Sequence, residues 1–544
     1  MAAGNAIYKN QGPLLLMRRH AFAARSLLLT LALGAAAQAD VQPATAPTDD
    51  AFDVWEIRVL GNSTLADRDI ETAVYPFLGE HKTIANVEEA RDALVEAYRK
   101  AGLGTVLVDI PEQTIDDGIV RLQVTEGRVE KVRIAGARYY SERKILASLP
   151  SIKAGAVPKL PELQQELTDL ANQARDRQVV PVLKPGSTPG TVEVDLSVQD
   201  RLPLHASVEF DNRYTADTSP LRMIASVSYE NLFQRAETIS LMYQTSPENT
   251  SQVKLGVLSY AGHTPWKGVT WSGYAIRSDS NVAAVGTLAV IGNGSIYGLR
   301  LNRDLTSSPT GTASLTFGAD YKNFGENIRL SNDSLRTPIR YLMWSVQLSD
   351  VERTEHYDAQ ASLSAQFGIR GLLNDEQQFA YKRANAHAGF SYLRASGQAF
   401  WHLPHGWSVG GRVNAQYSEQ PLVNNEQFVF GGADTVRGYL EAEELADSGI
   451  AGGLELRAPT WARGAFHGNL FFFTDHGIGM TQLPLPGQPA RVSLDSIGGG
   501  LKFGLGADLD ASLDWAMARH KGSKDSRTPV STDPRFDFLV KYSF

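Results

Sequence analysis

Residues 536–544 read Phe536-Asp537-Phe538-Leu539-Val540-Lys541-Tyr542-Ser543-Phe544. Phe536, Phe538, Val540, Tyr542 and the terminal Phe544 fall on one face at a period of two, the spacing of alternate side chains on a strand. A soluble β-sandwich seldom finishes in an aromatic, whereas an apolar face on the last strand suits a barrel closed against lipid. The same texture runs back to Leu204. Leu204, Ala206, Val208 and Phe210 point one way, and His205, Ser207, Glu209 and Asp211 the other. Alternating stretches recur at 221–231, 236–245, 252–261, 268–278, 311–324, 339–350, 356–370, 379–394, 407–418, 450–458, 467–475, 495–505 and 510–520, with a weaker one at 293–303. At roughly 20 residues per strand and loop, residues 201–544 supply about 16 antiparallel strands, a size whose lumen stays open to water. Aromatic residues collect at strand ends, where interfacial girdles belong. The fold class expected is therefore an all-β transmembrane barrel.

Composition narrows the rest. The chain has 544 residues, a formal net charge of −8 and no cysteine. Disulfides, cysteine-ligated metals and thiol nucleophiles are excluded. Sixty acidic against 52 basic side chains give no basic footprint for nucleic acid. Arg18, Arg19 and Arg25 precede a Leu/Ala run from Ser26 to Ala37, and Ala37-Gln38-Ala39 offers a cleavage site. That order predicts a secretory signal peptide over residues 1–39, with translation starting at Met1 or Met17. The run is shorter than the ~20 residues a spanning helix needs.

Between leader and barrel lies a repeat. Val54-Trp55-Glu56-Ile57-Arg58-Val59-Leu60-Gly61 returns as Val129-Glu130-Lys131-Val132-Arg133-Ile134-Ala135-Gly136, 75 positions later. Each copy continues with a helical stripe. The first is Val87, Ala90, Leu94 and Ala97 after a capping-box pair Asn86/Glu89, ending at Gly102; the second is Leu160, Leu163, Leu167, Leu170 and Ala174 after Pro161. Strands 105–110 with 119–125, and 179–183 with 191–198, close the two units around turns at Asp117-Gly118 and Thr188–Gly190. Two small α+β domains are expected, over 40–127 and 128–200, each leaving a strand edge that another chain can extend. Val59-x-Gly61-Asn62, Ile110-Pro111-x-Gln113, Asp117-Gly118 and Glu126-Gly127 resemble the polypeptide-transport-associated (POTRA) modules of outer-membrane translocases.

The longest non-strand stretch of the barrel half runs near 419–447 and holds Gly431-Gly432-Ala433-Asp434-Thr435-Val436-Arg437-Gly438-Tyr439. Its glycines permit tight left-handed backbone, and Val436 and Tyr439 give the tip something apolar to bury. The fork-shaped guanidinium of Arg437 suits a bidentate pair with a carboxylate in a confined lumen. On a later strand Asn469, Phe471, Phe473 and Asp475 share one face; if that face is inward, Asp475 meets a loop folded back into the barrel.

Here the resemblance sharpens. Val436-Arg437-Gly438-Tyr439 is similar to the V-R-G-[FY] motif at the tip of the inward-folded sixth loop of two-partner secretion transporters, the exporters of filamentous hemagglutinins and hemolysins. Phe473-Thr474-Asp475 matches that family's F-x-D. Asp211-Asn212, Asn231-Leu232-Phe233 and Glu455-Leu456-Arg457 match as well, and the likeness spans the chain after the leader. The resemblance implies an outer-membrane translocase with POTRA domains in the periplasm and an unfolded secreted protein as substrate. It implies that Arg437 pairs with Asp475 to hold the loop in its secretion-competent position, and that Tyr542 and Phe544 belong to a C-terminal assembly signal. The partners it implies are the lipid bilayer, the barrel-assembly machinery and periplasmic chaperones. These transporters commonly carry a plug helix before the first module. The Pro/Ala/Thr/Asp-rich stretch between Asp40 and Val54 shows no helical stripe, so either a plug is lacking or gating differs.

Two alternatives share much of this pattern: an outer-membrane assembly factor, which usually carries three or more such modules, and a passive porin, which needs none. An enzyme is not expected, nor is a cofactor or a metal. Gly406-Trp407-Ser408-Val409-Gly410 fits G-x-S-x-G, but Val409, Gly411, Val413 and Ala415 continue as a strand where a nucleophile elbow needs a helix. His402 and His405 are separated by Pro404 and have no third ligand nearby.

Overall fold

The computed structural model describes residues 51–216, 218–279, 282–285, 288–291, 293–308, 310–330, 333–519 and 534–544. The expected leader at 1–39 and the sequence up to residue 50 lie outside the described residues. The described chain divides into two compact units, with the boundary between Arg201 and Leu202.

The first unit contains the two repeats. In the first repeat Ile119–Glu126 is the central strand, parallel to Glu56–Leu60 and antiparallel to Val106–Asp109. Asp117 (φ 54°) and Gly118 (φ 69°) form the tight turn before the central strand. Helices Asp67–Val74 and Ile84–Lys100 cover one face of this sheet, burying Ile70, Val74, Val87, Ala90, Leu94 and Tyr98. The helix starts one turn before the expected cap. Thr83 is its N-cap, and Asn86 Oδ1 accepts from the Thr83 N–H at 3.1 Å, so Asn86 occupies N3 and Glu89 only receives the Asn86 amide. The second repeat has the same order: Thr191–Asp200 lies between parallel Arg128–Ala135 and antiparallel Arg177–Pro185. Helix Leu160–Gln173 buries Leu163 and Leu170. Each sheet leaves two edges, and Pro181 removes one ladder donor from an edge strand of the second.

The second unit is a closed antiparallel barrel. Its first eight strands are Leu204–Asp211, Arg222–Leu232, Glu237–Thr245, Lys254–His263, Val269–Ser278, Gly294–Ser307, Gly311–Leu330 and Asp333–Arg353. The next eight are Tyr357–Gly368, Ser391–His402, Ser408–Tyr417, Ser448–Arg457, Phe466–Met480, Arg491–Leu505, Leu509–Ala518 and Arg535–Ser543. A short segment, Trp461–Arg463, pairs beside the thirteenth, which also pairs directly with the twelfth, so the circumference is sixteen strands. Strand sixteen pairs back onto strand one from Leu539↔Asp211 to Ser543↔Ser207, and the Asn212 side chain bridges that seam to Phe536 O (2.8 Å) and Phe538 N (2.7 Å). Alternation is strict on the thirteenth strand: Leu470 and Phe472 are exposed on the outside while Phe471 and Phe473 are buried inside. An outer band of this kind, with every backbone ladder closed, is what a bilayer demands of strands. Trp266, Trp401, Trp407, Trp461 and Phe466 are exposed near the short turns, at one rim.

Alternation over 379–394 suggested a strand, and the structure corrects it. Glu376–Lys382 is a helix capped by Asp375, and the strand is Ser391–His402. The alternating Ala386, Ala388 and Phe390 are buried with Phe379 in a core inside the barrel. Period two reports backbone with one buried face, and a loop folded into a lumen has that property without belonging to the ladder. Strands seven and eight are also longer than expected, at 20 and 21 residues.

Candidate functional site

The connection between strands eleven and twelve, residues 418–447, turns inward. Phe428–Phe430 pairs with Glu444–Ala446, making a short hairpin whose far end carries the Val436-Arg437-Gly438-Tyr439 sequence. Gly431 (φ 97°) and Gly432 (φ 108°) turn the chain into that end. Gly432 N donates to Val436 O at 3.1 Å, closing it into a compact turn. Val436 is fully buried in a cluster with Phe428, Phe430, Tyr439, Leu494 and Ala518. Tyr439 donates its hydroxyl to Asp495 O at 3.0 Å. Gly438 holds φ 90°, with Ala516 of the wall packed where a side chain would go.

This packing delivers Arg437 to the inner face of strands twelve and thirteen. Its Nε donates to Asp475 Oδ2 at 2.7 Å and its Nη2 to Asp475 Oδ1 at 2.9 Å, while its backbone N–H reaches Oδ2 at 3.1 Å. Nη1 donates to Glu455 Oε2 at 2.8 Å. Arg437 is 4% exposed and Asp475 2%. The guanidinium lies 3.4 Å from the centre of the Phe473 ring, so that aromatic is one wall of the slot. Phe473 and Asp475 of the F-x-D sequence thus both touch Arg437. Around them Arg412 Nη2 approaches Asp475 Oδ2 at 3.3 Å, Arg457 Nε donates to Glu455 Oε1 at 2.8 Å, and Lys502 Nζ stands 3.7 Å from Glu455. Charge-assisted, bidentate bonds in a desolvated slot are the strong kind.

In the sequence Glu455 and Arg457 stand out only as a motif match. Their share in this network was readable from one fact: Gly453, Glu455 and Arg457 alternate with outward Leu454 and Leu456. Arg412 and Lys502 carried no such signal, because inward cations are ordinary in a barrel. Tyr542 and Phe544 lie far from this site in sequence, at the end of the last strand. Both are exposed, with their rings edge to face at 4.8 Å, and Phe544 N donates to Ala206 O at 2.9 Å. Ser408 opens the strand Ser408–Tyr417, with no helix behind it.

A closed barrel of sixteen strands, an α/β module ahead of it and a lumenal loop docked by an arginine on its wall define a translocase of the outer membrane. Residues 190–488 match the family described as haemolysin secretion/activation protein ShlB/FhaC/HecB, and residues 52–127 match the ShlB-type POTRA domain. The chain belongs to that family and is a two-partner secretion transporter of the outer membrane, its POTRA region periplasmic, which carries a secreted partner protein across. It is 24% identical over 433 residues to the outer membrane transporter CdiB of Dickeya dadantii (strain 3937), covering 78% of this chain and 75% of that one. Among solved structures it is similar in fold to CdiB from Escherichia coli, with a TM-score of 0.62, 18% identity and 93% of both chains covered. BamA from Haemophilus ducreyi lacking POTRA domains 1–3 is more distant, with a TM-score of 0.53, 14% identity, and 91% of this chain and 100% of that one covered.

Proposed function

We propose that this chain captures an unfolded secreted protein in the periplasm by adding a strand of it to an exposed sheet edge, and passes it in extended form through the barrel. Arg437 and Asp475 hold the loop tip in the secretion-competent position. The repeat at 128–200 acts as a second POTRA domain beside that at 40–127, residues 1–39 are the removed leader, and 201–544 form the barrel. No chemistry is performed on the substrate and no cofactor or metal is required. Tyr542 and Phe544 present the assembly signal to the barrel-assembly machinery, and periplasmic chaperones keep both the nascent barrel and its cargo unfolded. Folding of the cargo outside, burying apolar area at ~25 cal/mol per Å², makes return unfavourable.

The observation that carries this reading is the buried fork between Arg437 and two wall carboxylates. Removing one partner of a desolvated ion pair costs about 3–5 kcal/mol, enough to undock the tip of the loop almost completely. Arg437→Ala and Asp475→Ala are each expected to leave a heat-modifiable barrel in the membrane while secreted cargo in the medium falls to a small fraction of the wild-type amount. Normal export by both variants would overturn the role given to the pair. Deletion of the gene is expected to abolish one secreted product and to leave other outer-membrane barrels at normal levels. A general barrel defect would instead favour the assembly-factor reading.

A further inference from the structure

The lumenal loop is held at a second place, by residues with no part in the Arg437 slot. Glu426, 1% exposed, lies at the base of the hairpin. Lys322 Nζ of strand seven donates to its Oε1 at 2.6 Å, the Tyr341 hydroxyl of strand eight donates to the same oxygen, and the Tyr392 hydroxyl of strand ten donates to Oε2 at 2.6 Å. Its backbone carbonyl accepts from Gln416 Nε2 at 3.0 Å and Arg394 Nη2 at 3.3 Å. Just before it in sequence, Leu422 and Val423 are buried against Phe379 and Phe390 of the connection between strands nine and ten. That connection also reaches the other end of the loop: Arg383 Nη2 donates to Asp447 Oδ2 at 2.7 Å. So two connections are welded into one apolar cap against strands four to eight and ten, and the carboxylate of Glu426 ties this cap to the wall.

We propose that Glu426 is a positioning residue: a second latch, independent of the Arg437 tip, that keeps the cap seated and the lumen narrowed. The proposal rests on the reading of the lumen as the path of the cargo. Its physical content is that the tip latch acts on strands twelve and thirteen and the base latch on strands seven, eight and ten. Release of the tip alone leaves the cap in place. Full opening requires both latches to break. An acid so deeply buried has no other partner of opposite charge within bonding distance than Lys322 among the described residues, so loss of either member unseats the other.

The test is single-channel conductance of the full-length protein in planar bilayers, with heat-modifiable migration as the check that the barrel is folded. Glu426→Ala and Lys322→Ala are each expected to raise the ratio of time in high- to low-conductance states by about a hundredfold or more, as loss of one buried partner implies. The exchange Lys322→Glu with Glu426→Lys is expected to bring it back toward wild type. Because the latches are independent, the effects of Glu426→Ala and Arg437→Ala are expected to multiply in the double variant. If Glu426→Ala does not assemble, Glu426→Gln removes the charge while keeping one acceptor oxygen for one tyrosine and an amide N–H that can donate to the hydroxyl oxygen of the other. Folded Glu426 variants with wild-type conductance, or a double variant no more open than Arg437→Ala alone, would overturn the second latch. Secretion by Arg437→Ala is read separately, so failure of the export reading is distinct from failure of this one.

Discussion

A methyl group at position 453 is enough to disturb the Arg437 slot without touching a charge. A Cβ built on Gly453 would stand 1.9 Å from Asp475 Oδ1, so alanine there forces the carboxylate off its fork. Gly453→Ala is expected to reduce export as severely as Asp475→Ala while barrel assembly persists, measured as cargo in the medium against heat-modifiable barrel in the membrane. At this scale the sequence was informative for a physical reason. A fixed-charge fork in a glycine-flanked tip, and an acid two residues after an aromatic on one face, are local patterns that survive without knowledge of the fold. The Glu455 contact was half visible through the period of its strand. The Glu426 contact was not visible at all, because Lys322, Tyr341 and Tyr392 stand on nearby strands that Glu426 meets only when its loop, between strands eleven and twelve, folds back into the lumen.

Among the elements, the hairpin of the second repeat carries a pH-sensitive clasp. Glu130 accepts from Ser187 N at 2.9 Å, from the Ser187 hydroxyl and from Thr191 Oγ1 at 2.7 Å. The Ser187 and Thr191 hydroxyl bonds hold its carboxyl down at about 2, from an ordinary 4.5. A depressed carboxyl contributes stability that is present above the ordinary value and lost as pH falls through the folded one. Protection of the amides at 187–191 against hydrogen exchange is therefore expected to decline between about pH 4.5 and about pH 2, and Glu130→Gln to remove that dependence. The strand and helix order of both repeats was legible from period and turn residues. The cap at Thr83 was missed by one turn because Asn86 followed by Glu89 has the residue types and spacing of a capping box of its own, one turn later. The helix at Glu376–Lys382 was missed because its neighbours alternate while folded inside the wall.

For the whole molecule, the two units carry separable tasks. Deleting residues 51–200 is expected to leave a closed, heat-modifiable barrel that exports no cargo, since the wall ladder from Leu204 to Ser543 needs no residue of that unit. Export by such a truncated chain would favour a passive pore. The sequence alone determined the barrel, its strand number to within one, the repeated α/β units and the tip motif. Each of these is written in local periodicity and turn chemistry, which act between residues close in the chain. Only the tertiary structure decided that the loop is fastened twice and that the connection between strands nine and ten is part of the same cap. Both depend on loops that fold back into the lumen and meet wall residues and each other at positions distant in the chain, which no local stretch of residues records.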